Sequence, residues 1–281
     1  MDSLIGKTAV VTGAASGMGL AMSRRFVAAG MNVVLSDVDE NKLTEATRLI
    51  AASGGRAIGV VADVAVEDDH SMLLDRSIDE FGIVNVVCLN AGVTGSIGRS
   101  WTLTKEDWDW TLGILLDGVI NGIRTFVPHL IEHGDGHVVT TASIAGHVSS
   151  PYGGPYNVGK HGVVTLSETL HHELKADGSS VGVTCLCPGF VQTNIVQATR
   201  ERNSDEAGSG KDEKADRWLE ISERVLRTGL EPEVVAQQVH DAILANQFWL
   251  FTDDNWDTPI ARRSKEIVER NVPSIGLPDL K

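Results

Sequence analysis

Cysteine and long apolar runs are both scarce in this chain, and each scarcity excludes a class of protein. Its 281 residues include 3 cysteines, and Cys88, Cys185 and Cys187 each lie inside an apolar segment that indicates a buried strand. This pattern argues against a disulfide framework, and we expect no bound metal. No apolar run approaches the ~18 residues of a membrane-spanning helix. The turn signal Thr12-Gly13 comes too early for a secretory leader, so a cytoplasmic protein is expected.

Basic residues are few relative to acidic ones. The chain has 24 Lys and Arg residues against 38 Asp and Glu residues, for a formal net charge of -14 at pH 7. A surface of that sign repels phosphate backbones and anionic lipid headgroups. Nucleic-acid and membrane partners are therefore not expected. With 42% hydrophobic and 22% charged residues, the composition is typical of a globular protein with one large core.

Short apolar runs alternate with longer helical segments along the chain. Strands are predicted at 8–12, 32–36, 57–62, 84–89, 138–141, 181–187 and 248–251. Helices are predicted at 18–29, 40–52, 68–81, 105–132, 156–177, 218–226, 232–245 and 261–270. Helices between successive strands are long enough for right-handed crossovers over a parallel sheet. The alternation predicts a doubly wound α/β sandwich of three layers with a mostly parallel sheet, formed by one domain over residues 1–281.

One segment interrupts this alternation. Residues 199–214 combine many charged residues with a Gly-Ser-Gly triplet and have no apolar face. Such a composition is typical of a mobile insertion rather than of a packed element. We expect a mobile loop over about 194–220 that borders a substrate site.

A glycine-rich turn directly follows the first predicted strand. Gly13, Gly17 and Gly19 lie where the strand must turn into a helix, and residues without side chains let a pyrophosphate touch the backbone there. A glycine trio alone is weak evidence, because glycine-rich turns flank helices in many proteins. Its position between a strand and a helix favours a dinucleotide site.

The second predicted strand is followed by Asp37, which lies 18 residues after Gly19. A carboxylate at this sheet edge can accept hydrogen bonds from both hydroxyls of an adenosine ribose, and it would repel a 2′-phosphate. No Arg or Lys occupies positions 14, 15, 16 or 38 to bind such a phosphate. The sequence therefore predicts NAD rather than NADP. Taken without the glycines, Asp37 is equally consistent with an ordinary turn residue.

Three polar residues near the fifth predicted strand suggest acid/base chemistry. Ser143 follows that strand, Tyr156 comes 13 residues later, and Lys160 lies 4 residues beyond on the same helix face. An ammonium beside a phenol favours the phenolate, so we expect a lowered pKa for Tyr156 and proton exchange with a substrate hydroxyl. Ser143 would hold the substrate oxygen. A tyrosine on an amphipathic helix is more often a packing residue, but this chain has only 2 tyrosines.

The motifs together resemble the short-chain dehydrogenase/reductase family. They are Thr12-Gly13-x-x-x-Gly17-x-Gly19, Asn90-Ala91-Gly92, Ser143, Tyr156-x-x-x-Lys160 and Pro188-Gly189, in the order and spacing typical of that family. Each motif is weak by itself, and the set is specific. The resemblance implies a Rossmann-type fold, hydride transfer with NAD, and Ser143, Tyr156 and Lys160 as the catalytic residues.

The resemblance also implies roles in binding the cofactor. Asp63 and Val64 would flank the adenine, Lys160 would bind the nicotinamide ribose, and Val191 and Thr193 would meet the carboxamide. The full set implied for NAD is Gly13, Ser16, Gly17, Met18, Gly19, Asp37, Asp63, Val64, Asn90, Gly92, Tyr156, Lys160, Pro188, Gly189, Val191 and Thr193.

One position departs from the family pattern. The helix before Gly118 usually carries an asparagine that holds a water in a proton relay from the catalytic lysine to solvent, and alignment on Gly118 places Leu115 there. A leucine side chain has no polar atom to hold water. Asn121 lies about 240° around the helix from Leu115 and is not an obvious substitute. A protein that binds NAD as a sensor or interaction partner with weakened catalysis is therefore the alternative to an enzyme.

The substrate site is less well determined by sequence. The loop from Ile144 to Pro155 and the 194–220 segment should border it, with His147 and Tyr152 as candidate contacts, although a loop histidine is more often simply solvated. Local similarity to family members that act on bulky or aromatic secondary alcohols favours such a substrate. His129 and His133 are interpreted as a surface pair rather than metal ligands. The long apolar stretches of helices 105–132 and 156–177 predict a homodimer or homotetramer.

Overall fold

A parallel sheet runs through the middle of the computed structural model, which describes residues 1–197, 199–200 and 213–276. Within those residues the sheet has seven strands in the order β3-β2-β1-β4-β5-β6-β7, and every neighbouring pair is parallel. The strands are β1 (Thr8–Thr12), β2 (Asn32–Asp37), β3 (Ala57–Val61), β4 (Val86–Leu89), β5 (His137–Thr141), β6 (Gly182–Cys187) and β7 (Trp249–Phe251). The predicted fold class is confirmed.

Helices follow the strands as crossovers and cover the sheet. They are α1 (Gly17–Ala28), α2 (Glu40–Ala52), α3 (Glu67–Phe81), α4 (Lys105–Leu112), α5 (Gly118–His133), α6 (Gly154–Ala176), α7 (Glu213–Leu226), α8 (Pro232–Ala245) and α9 (Asp257–Glu269). The predicted helices 40–52 and 232–245 match α2 and α8 at both ends. The described part of α7 starts at Glu213, five residues before the predicted start, so residues 213 and 214 of the charged stretch are helical.

The two faces of the sheet bury separate apolar cores because successive side chains of a strand point to opposite faces. In β1, Val11 packs in a cluster with Phe26 of α1, whereas Val10 packs in a second cluster with Phe126 of α5. All of β1 is buried, which explains why its sequence is an apolar run rather than an alternating one. Cys88, Cys185 and Cys187 are buried strand residues with free thiols, as predicted.

The order of strands reverses beside β1, which pairs with β2 on one side and β4 on the other. Chain segments that leave β1 and β4 at their carboxyl ends therefore diverge to opposite faces of the sheet. Such a switch point opens a crevice in which doubly wound proteins bind ligands. Both the glycine turn after Thr12 and the segment from Asn90 to Gly92 lie at this crevice.

The predicted helix 105–132 is continuous in direction but not uniform. A widened π turn, Gly113–Asp117, joins α4 to α5 and contains Leu115. π turns insert one residue into an α-helix and often occur at functional sites. At the start of α4, Thr104 and Asp107 form a capping box, in which each side chain accepts the backbone N–H of the other residue.

The stretch Lys105–His133 is the longest apolar helix among the described residues, and it bears on the expectation that the chain has no membrane-spanning segment. By length and composition it would be able to cross a membrane, with a mean hydropathy of 1.3 in its most apolar 18-residue window. Half of that window is buried inside the protein, and a core helix commonly passes the same test. One such helix is weak evidence for a membrane span.

The expected mobile loop lies partly outside the described residues, which omit 198 and 201–212. The described part of this segment is tied to its surroundings. The hydroxyls of Thr199 and Thr94 are 2.7 Å apart, and Thr199 also donates to the carbonyl of Gly95. Arg200 donates two hydrogen bonds of 2.6 Å to the carboxylate of Glu223 on α7. These contacts hold α7 and residues 199–200 over one side of the crevice.

Candidate active site

The glycines after β1 form a turn with no room for side chains. Gly13 and Gly17 have φ values of +65° and +51°, a region that side-chain-bearing residues rarely adopt. A Cβ on Gly13 would lie 2.8 Å from the Cα of Ala91, and one on Gly19 would lie 2.8 Å from the Nδ2 of Asn90. The turn therefore packs against the segment after β4 while its backbone faces the crevice at the N-terminus of α1. This backbone cradle fits the pyrophosphate of a dinucleotide.

Asp37 lies at the carboxyl end of β2, beside that cradle. Its Oδ2 accepts the N–H of Ala15 at 3.0 Å, and its Oδ1 accepts the N–H of Asp39 at 3.1 Å. Both carboxylate oxygens are thus held in place by backbone donors. The next residue, Val38, is 68% exposed and carries no charge. An anionic group at this position fits a ribose with free hydroxyls.

Asn90 ties together the ends of three strands. Its side-chain amide donates to the carbonyl of Thr12 at 3.0 Å, and its side-chain oxygen accepts the hydroxyl of Thr141 at 3.2 Å. Its backbone N–H donates to the Thr12 hydroxyl at 2.9 Å. The segment Asn90-Ala91-Gly92 is therefore held at the bottom of the crevice by β1 and β5, which agrees with the support role implied by the family resemblance.

Ser143, Tyr156 and Lys160 converge beside this network. Ser143 lies two residues after the end of β5, and its hydroxyl accepts the N–H of Ala145 at 3.1 Å. Tyr156 lies in the first turn of α6, whose start is favoured by Pro155. Lys160 is one turn further and buried, and its Nζ donates to the carbonyl of Thr141 at 2.7 Å.

The protonation of this group differs from the sequence expectation. Burial raises the pKa of Tyr156, although its hydrogen bond from Ser143 opposes the rise. Lys160 does not offset this effect, because its Nζ lies 5.8 Å from the centre of the phenol ring and bonds to a carbonyl instead. Burial also lowers the pKa of Lys160 to about 8, while Cys185 and Cys187 oppose the shift. The predicted lowering of the Tyr156 pKa by Lys160 is therefore wrong for this structure.

Leu115 lies directly against α6, the helix that carries Tyr156 and Lys160. It is fully buried, and a Cβ on Gly159 would lie 3.1 Å from the Cβ of Leu115. On its other side, a Cβ on Gly92 would lie 3.3 Å from the Leu115 Cδ2. The side chain thus fills the space between these two glycines with methyl groups. Asn121 does not replace the missing amide, since its Nδ2 points to the carbonyl of Val64 at 3.3 Å.

The segment after β6 closes the crevice from the other side. The carbonyl of Pro188 accepts the N–H of Ile144, and the N–H of Gly189 donates to the hydroxyl of Thr252. A Cβ on Gly189 would lie 2.5 Å from the Nε1 of Trp256, so the glycine permits close packing of that indole. Further along, a Cβ on Gly17 would lie 3.1 Å from the Cγ2 of Thr193, which brings this segment against the glycine turn.

A cavity of about 880 Å³ unites all of these features. Every residue predicted to act in catalysis or to bind NAD lines it: Gly13, Ser16, Gly17, Met18, Gly19, Asp37, Asp63, Val64, Asn90, Gly92, Ser143, Tyr156, Lys160, Pro188, Gly189, Val191 and Thr193. One end holds the glycine turn and Asp37, and the other continues past Tyr156 towards α4 and α7. The cavity therefore places a nucleotide cradle and an acid/base group in one space.

The end of the cavity beyond Tyr156 is lined partly by the two segments predicted to border a substrate site, 144–155 and 194–220, and partly by residues that sequence reasoning missed, such as Trp110, Ile114, Phe190 and Trp256. The lining side chains at this end are mainly aromatic and aliphatic: Ile97, Trp110, Ile114, Val148, Phe190, Ile195, Trp218, Leu219 and Trp256. Trp110 and Ile114 are 4 residues apart and so share a helix face, but nothing in that spacing says which surface they face.

The two predicted substrate contacts lie elsewhere. His147 is not among the lining residues, because its ring packs 5.3 Å from that of Trp249 and its Nε2 is 3.3 Å from the Sγ of Cys187. Burial there lowers the pKa of His147 to about 4. Tyr152 has a φ of +67° and places its ring 6.4 Å from that of Trp218, behind the cavity wall. Tyr152 therefore supports an aromatic wall residue rather than lining the cavity itself.

Within the described residues, no group of three or more His, Cys, Asp and Glu side chains is placed to hold a metal ion. His129 is buried rather than on the surface, and its Nε2 accepts the N–H of Val84 at 3.1 Å. His133 places its Nδ1 2.8 Å from the carbonyl of His129. The two rings are 4.3 Å apart and His133 is exposed, so the prediction of a surface pair is wrong only for His129, which fixes the start of the segment before β4.

Comparison with known proteins identifies the family. The model described as short chain dehydrogenase matches residues 7–204, and the chain belongs to this family. A short-chain dehydrogenase/reductase from Burkholderia phymatum, solved in complex with NAD, is 35% identical with a TM-score of 0.94 and covers 99% of each chain. Among curated relatives, 1-deoxy-11-beta-hydroxypentalenate dehydrogenase of Streptomyces arenae is 33% identical over 95% of this chain and 89% of its own length. C alpha-dehydrogenase of Sphingobium sp. (strain NBRC 103272 / SYK-6) is 28% identical over 97% and 89%.

Proposed function

We propose that this protein is an NAD-dependent oxidoreductase that interconverts a secondary alcohol and a ketone, with Tyr156 as its acid/base. One observation carries the proposal: Ser143, Tyr156 and Lys160 line the same cavity as the glycine cradle and Asp37. Membership of the short-chain dehydrogenase family and an NAD-bound structural relative support the reaction class.

The residues of the chain would divide the reaction as follows. When bound, the nicotinamide supplies the carbon that accepts or donates the hydride. In oxidation, the Tyr156 phenolate removes the hydroxyl proton of the alcohol as its C–H hydride leaves, and a ketone remains. In reduction, the Tyr156 phenol returns that proton to the carbonyl oxygen. Ser143 holds the oxygen in both directions, and buried Lys160, whose Nζ donates to the carbonyl of Thr141, would bind the nicotinamide ribose.

The walls of the cavity favour a bulky, apolar or aromatic substrate. Its substrate end presents the rings of Trp110, Phe190, Trp218 and Trp256. A flat aromatic group buries more area against such rings than a small alkyl group does. The relatives named as a C alpha-dehydrogenase and a pentalenate dehydrogenase are consistent with a substrate larger than a simple alcohol.

Replacement of the phenol oxygen tests the assignment. We expect Tyr156→Phe to lower the rate of NADH formation from 1-(2-naphthyl)ethanol by roughly 100-fold or more, because general acid/base groups contribute about that much. NAD binding, followed by quenching of tryptophan fluorescence, should stay unchanged. The matched control is Tyr152→Phe, which removes a hydroxyl outside the cavity lining and should keep the rate within about threefold.

The same experiment separates the enzyme from its alternative. If the unaltered protein binds NAD but forms no NADH across a broad panel of secondary alcohols, it is a sensor or interaction protein of the same fold. Fully buried Leu115, which has no amide to hold a relay water, is the observation that favours this alternative. If turnover is present and Tyr156→Phe retains it, the acid/base assignment is wrong.

A further inference from the structure

The last described residues of the chain fold back along α9 as a strap, defined here as residues 271–276. The backbone N–H of Asn271 donates to the carbonyl of Glu266 at 2.8 Å, and that of Ser274 donates to the Glu266 carboxylate at 3.0 Å. Arg262 then donates to the carbonyl of Ile275 at 3.1 Å. As the strap runs from Asn271 to Ile275, its contacts on α9 move from Glu266 to Arg262, towards the start of the helix. The strap is therefore held antiparallel to α9 by hydrogen bonds rather than by buried side chains.

The strap reaches the substrate cavity at Gly276. Gly276 is buried, lines the cavity and donates its N–H to the carbonyl of Ser149 at 3.1 Å. A Cβ at this position would overlap the Cβ of Val148 and lie 2.8 Å from its Cγ2. Because ordinary contacts between such carbons are near 3.5–4.0 Å, no residue with a side chain fits without a shift of the strap or of Val148.

The strap contacts the loop that carries Ser143. Val148 is 4% exposed and packs with Ile144 and Trp256 in a small apolar cluster. Its N–H donates to the carbonyl of Ile144, which immediately follows Ser143. Gly276 therefore lies against a wall residue whose position is coupled to the catalytic loop. Val148, Trp256 and Gly276 together form a continuous, uncharged part of the cavity lining.

We propose that the strap is a specificity element of the substrate site: Gly276 completes the apolar wall with Val148 and raises the affinity for uncharged, bulky groups that reach this wall. The inference rests on the proposed function for the identity of the substrate. A small alcohol held at Ser143 and Tyr156 does not extend to the strap, whereas an aryl group does. The strap therefore determines affinity for large substrates and leaves hydride transfer unchanged.

The test compares Gly276→Ala with the unaltered protein on a large and a small alcohol. We expect the KM for 1-(2-naphthyl)ethanol to rise about tenfold, which corresponds to ~1.4 kcal/mol of lost apolar contact. The KM for 2-propanol and both kcat values should change less than about threefold, and the Kd for NAD should not change. The matched control is Val272→Ala, in the same strap but 87% exposed, which should leave all four constants unaltered.

A second variant distinguishes a local clash from general disturbance. Val148→Gly combined with Gly276→Ala removes the overlapping atoms, and the naphthyl KM should return to within about threefold of that for Val148→Gly alone, as expected for two residues in direct contact. An unchanged naphthyl KM in Gly276→Ala, or an equal rise for both alcohols, would overturn the proposal.

Failure of the proposed function is recognised separately. If the unaltered protein forms no NADH across the broad panel of secondary alcohols, the proposed function fails, and the strap is tested by calorimetric binding of 2-acetonaphthone in the presence of NAD. Weaker binding of about tenfold in Gly276→Ala, but not in Val272→Ala, then supports the strap as a binding wall. Equal binding by all three proteins refutes it.

Discussion

Burial shifts the pKa values of two side chains in the proposed catalytic group, Tyr156 and Lys160. Burial raises the pKa of the Tyr156 phenol and lowers the pKa of the Lys160 ammonium to about 8, because each charged form loses hydration. Both shifts disfavour the ion pair that the sequence suggested. Ser143 acts in the opposite sense by donating to the phenolate oxygen. The result is a phenol that is protonated at neutral pH.

The raised pKa of Tyr156 predicts opposite pH behaviour for the two directions of reaction. Oxidation needs the phenolate, so kcat/KM for 1-(2-naphthyl)ethanol should rise up to about tenfold per pH unit between pH 7 and 9. Reduction of the matching ketone needs the phenol, which is already protonated throughout this range, so its kcat/KM should stay nearly flat. Initial rates in both directions provide the measurement. A plateau of oxidation below pH 8 would contradict the raised pKa.

At the scale of elements, the turn between β2 and α2 is the part of the structure that can select the cofactor. Asp37 ends the strand with both carboxylate oxygens held by backbone N–H groups, and Asp39 caps α2 by accepting the N–H of Lys42 at 3.0 Å. The cap and the strand end fix the direction of the Asp37 side chain between them. Val38, which lines the nucleotide end of the cavity, contributes no charge to this turn.

This geometry predicts a change of cofactor preference in the double variant Asp37→Ser with Val38→Arg. The affinity for NADP should rise at least about tenfold, because a repelling carboxylate is removed and a guanidinium that can bind a 2′-phosphate is added. The Kd values for NADP and NAD, measured by fluorescence titration, provide the check. The control Ile5→Arg adds the same charge at a site that is 78% exposed and should leave both values unchanged. No gain in NADP affinity would weaken the assignment of NAD.

The joined helices α4 and α5 carry the main departure from the family pattern. Their π turn contains Leu115, which packs between Gly92 and Gly159 beside Lys160. A leucine here excludes water from the side of the lysine where an amide was expected. In the proposed reaction, the proton that Tyr156 exchanges must therefore reach solvent by a route that does not use this side chain.

At the scale of the whole molecule, the outer surface of α5 and α6 retains exposed apolar residues. Ile131 of α5 is 46% exposed and Val158 of α6 is 49% exposed. We propose that these helices pair with a second copy of the chain, as the long apolar stretches of their sequences suggested.

Light scattering after size-exclusion chromatography checks this proposal. The measured mass should be two or four times the 30.1 kDa of one chain. Val158→Glu, which places a charge on the proposed interface, should shift the distribution towards the monomer, whereas the same change at Val272 should not. A single species of one chain's mass at micromolar concentration would exclude the proposal.

Much of this protein was determined by local sequence pattern. Short-range rules were enough to predict several features. Apolar periodicity predicted the strands and the crossover helices, the backbone freedom of glycine predicted the turn after the first strand, and helix geometry placed Tyr156 and Lys160 on one face. Those rules, together with the resemblance to a known family, named the catalytic and cofactor residues, and all of these residues line one cavity. Element ends shifted by a few residues, as at Gly154 and Glu213, because Pro155 and charged residues support helical turns that apolar periodicity does not show.

Other features were decided only by tertiary structure. The rise in the Tyr156 pKa depends on burial and on the direction of the Lys160 side chain. The position of the His147 ring beside Trp249 depends on packing across the sheet. The aromatic wall of the cavity is formed by Trp110, Trp218 and Trp256, which come from three distant segments of the chain. Gly276 reaches Val148 across 128 residues of sequence. Such properties arise from contacts between segments far apart in the chain, and neither residue type nor spacing along the sequence encodes which segments will meet.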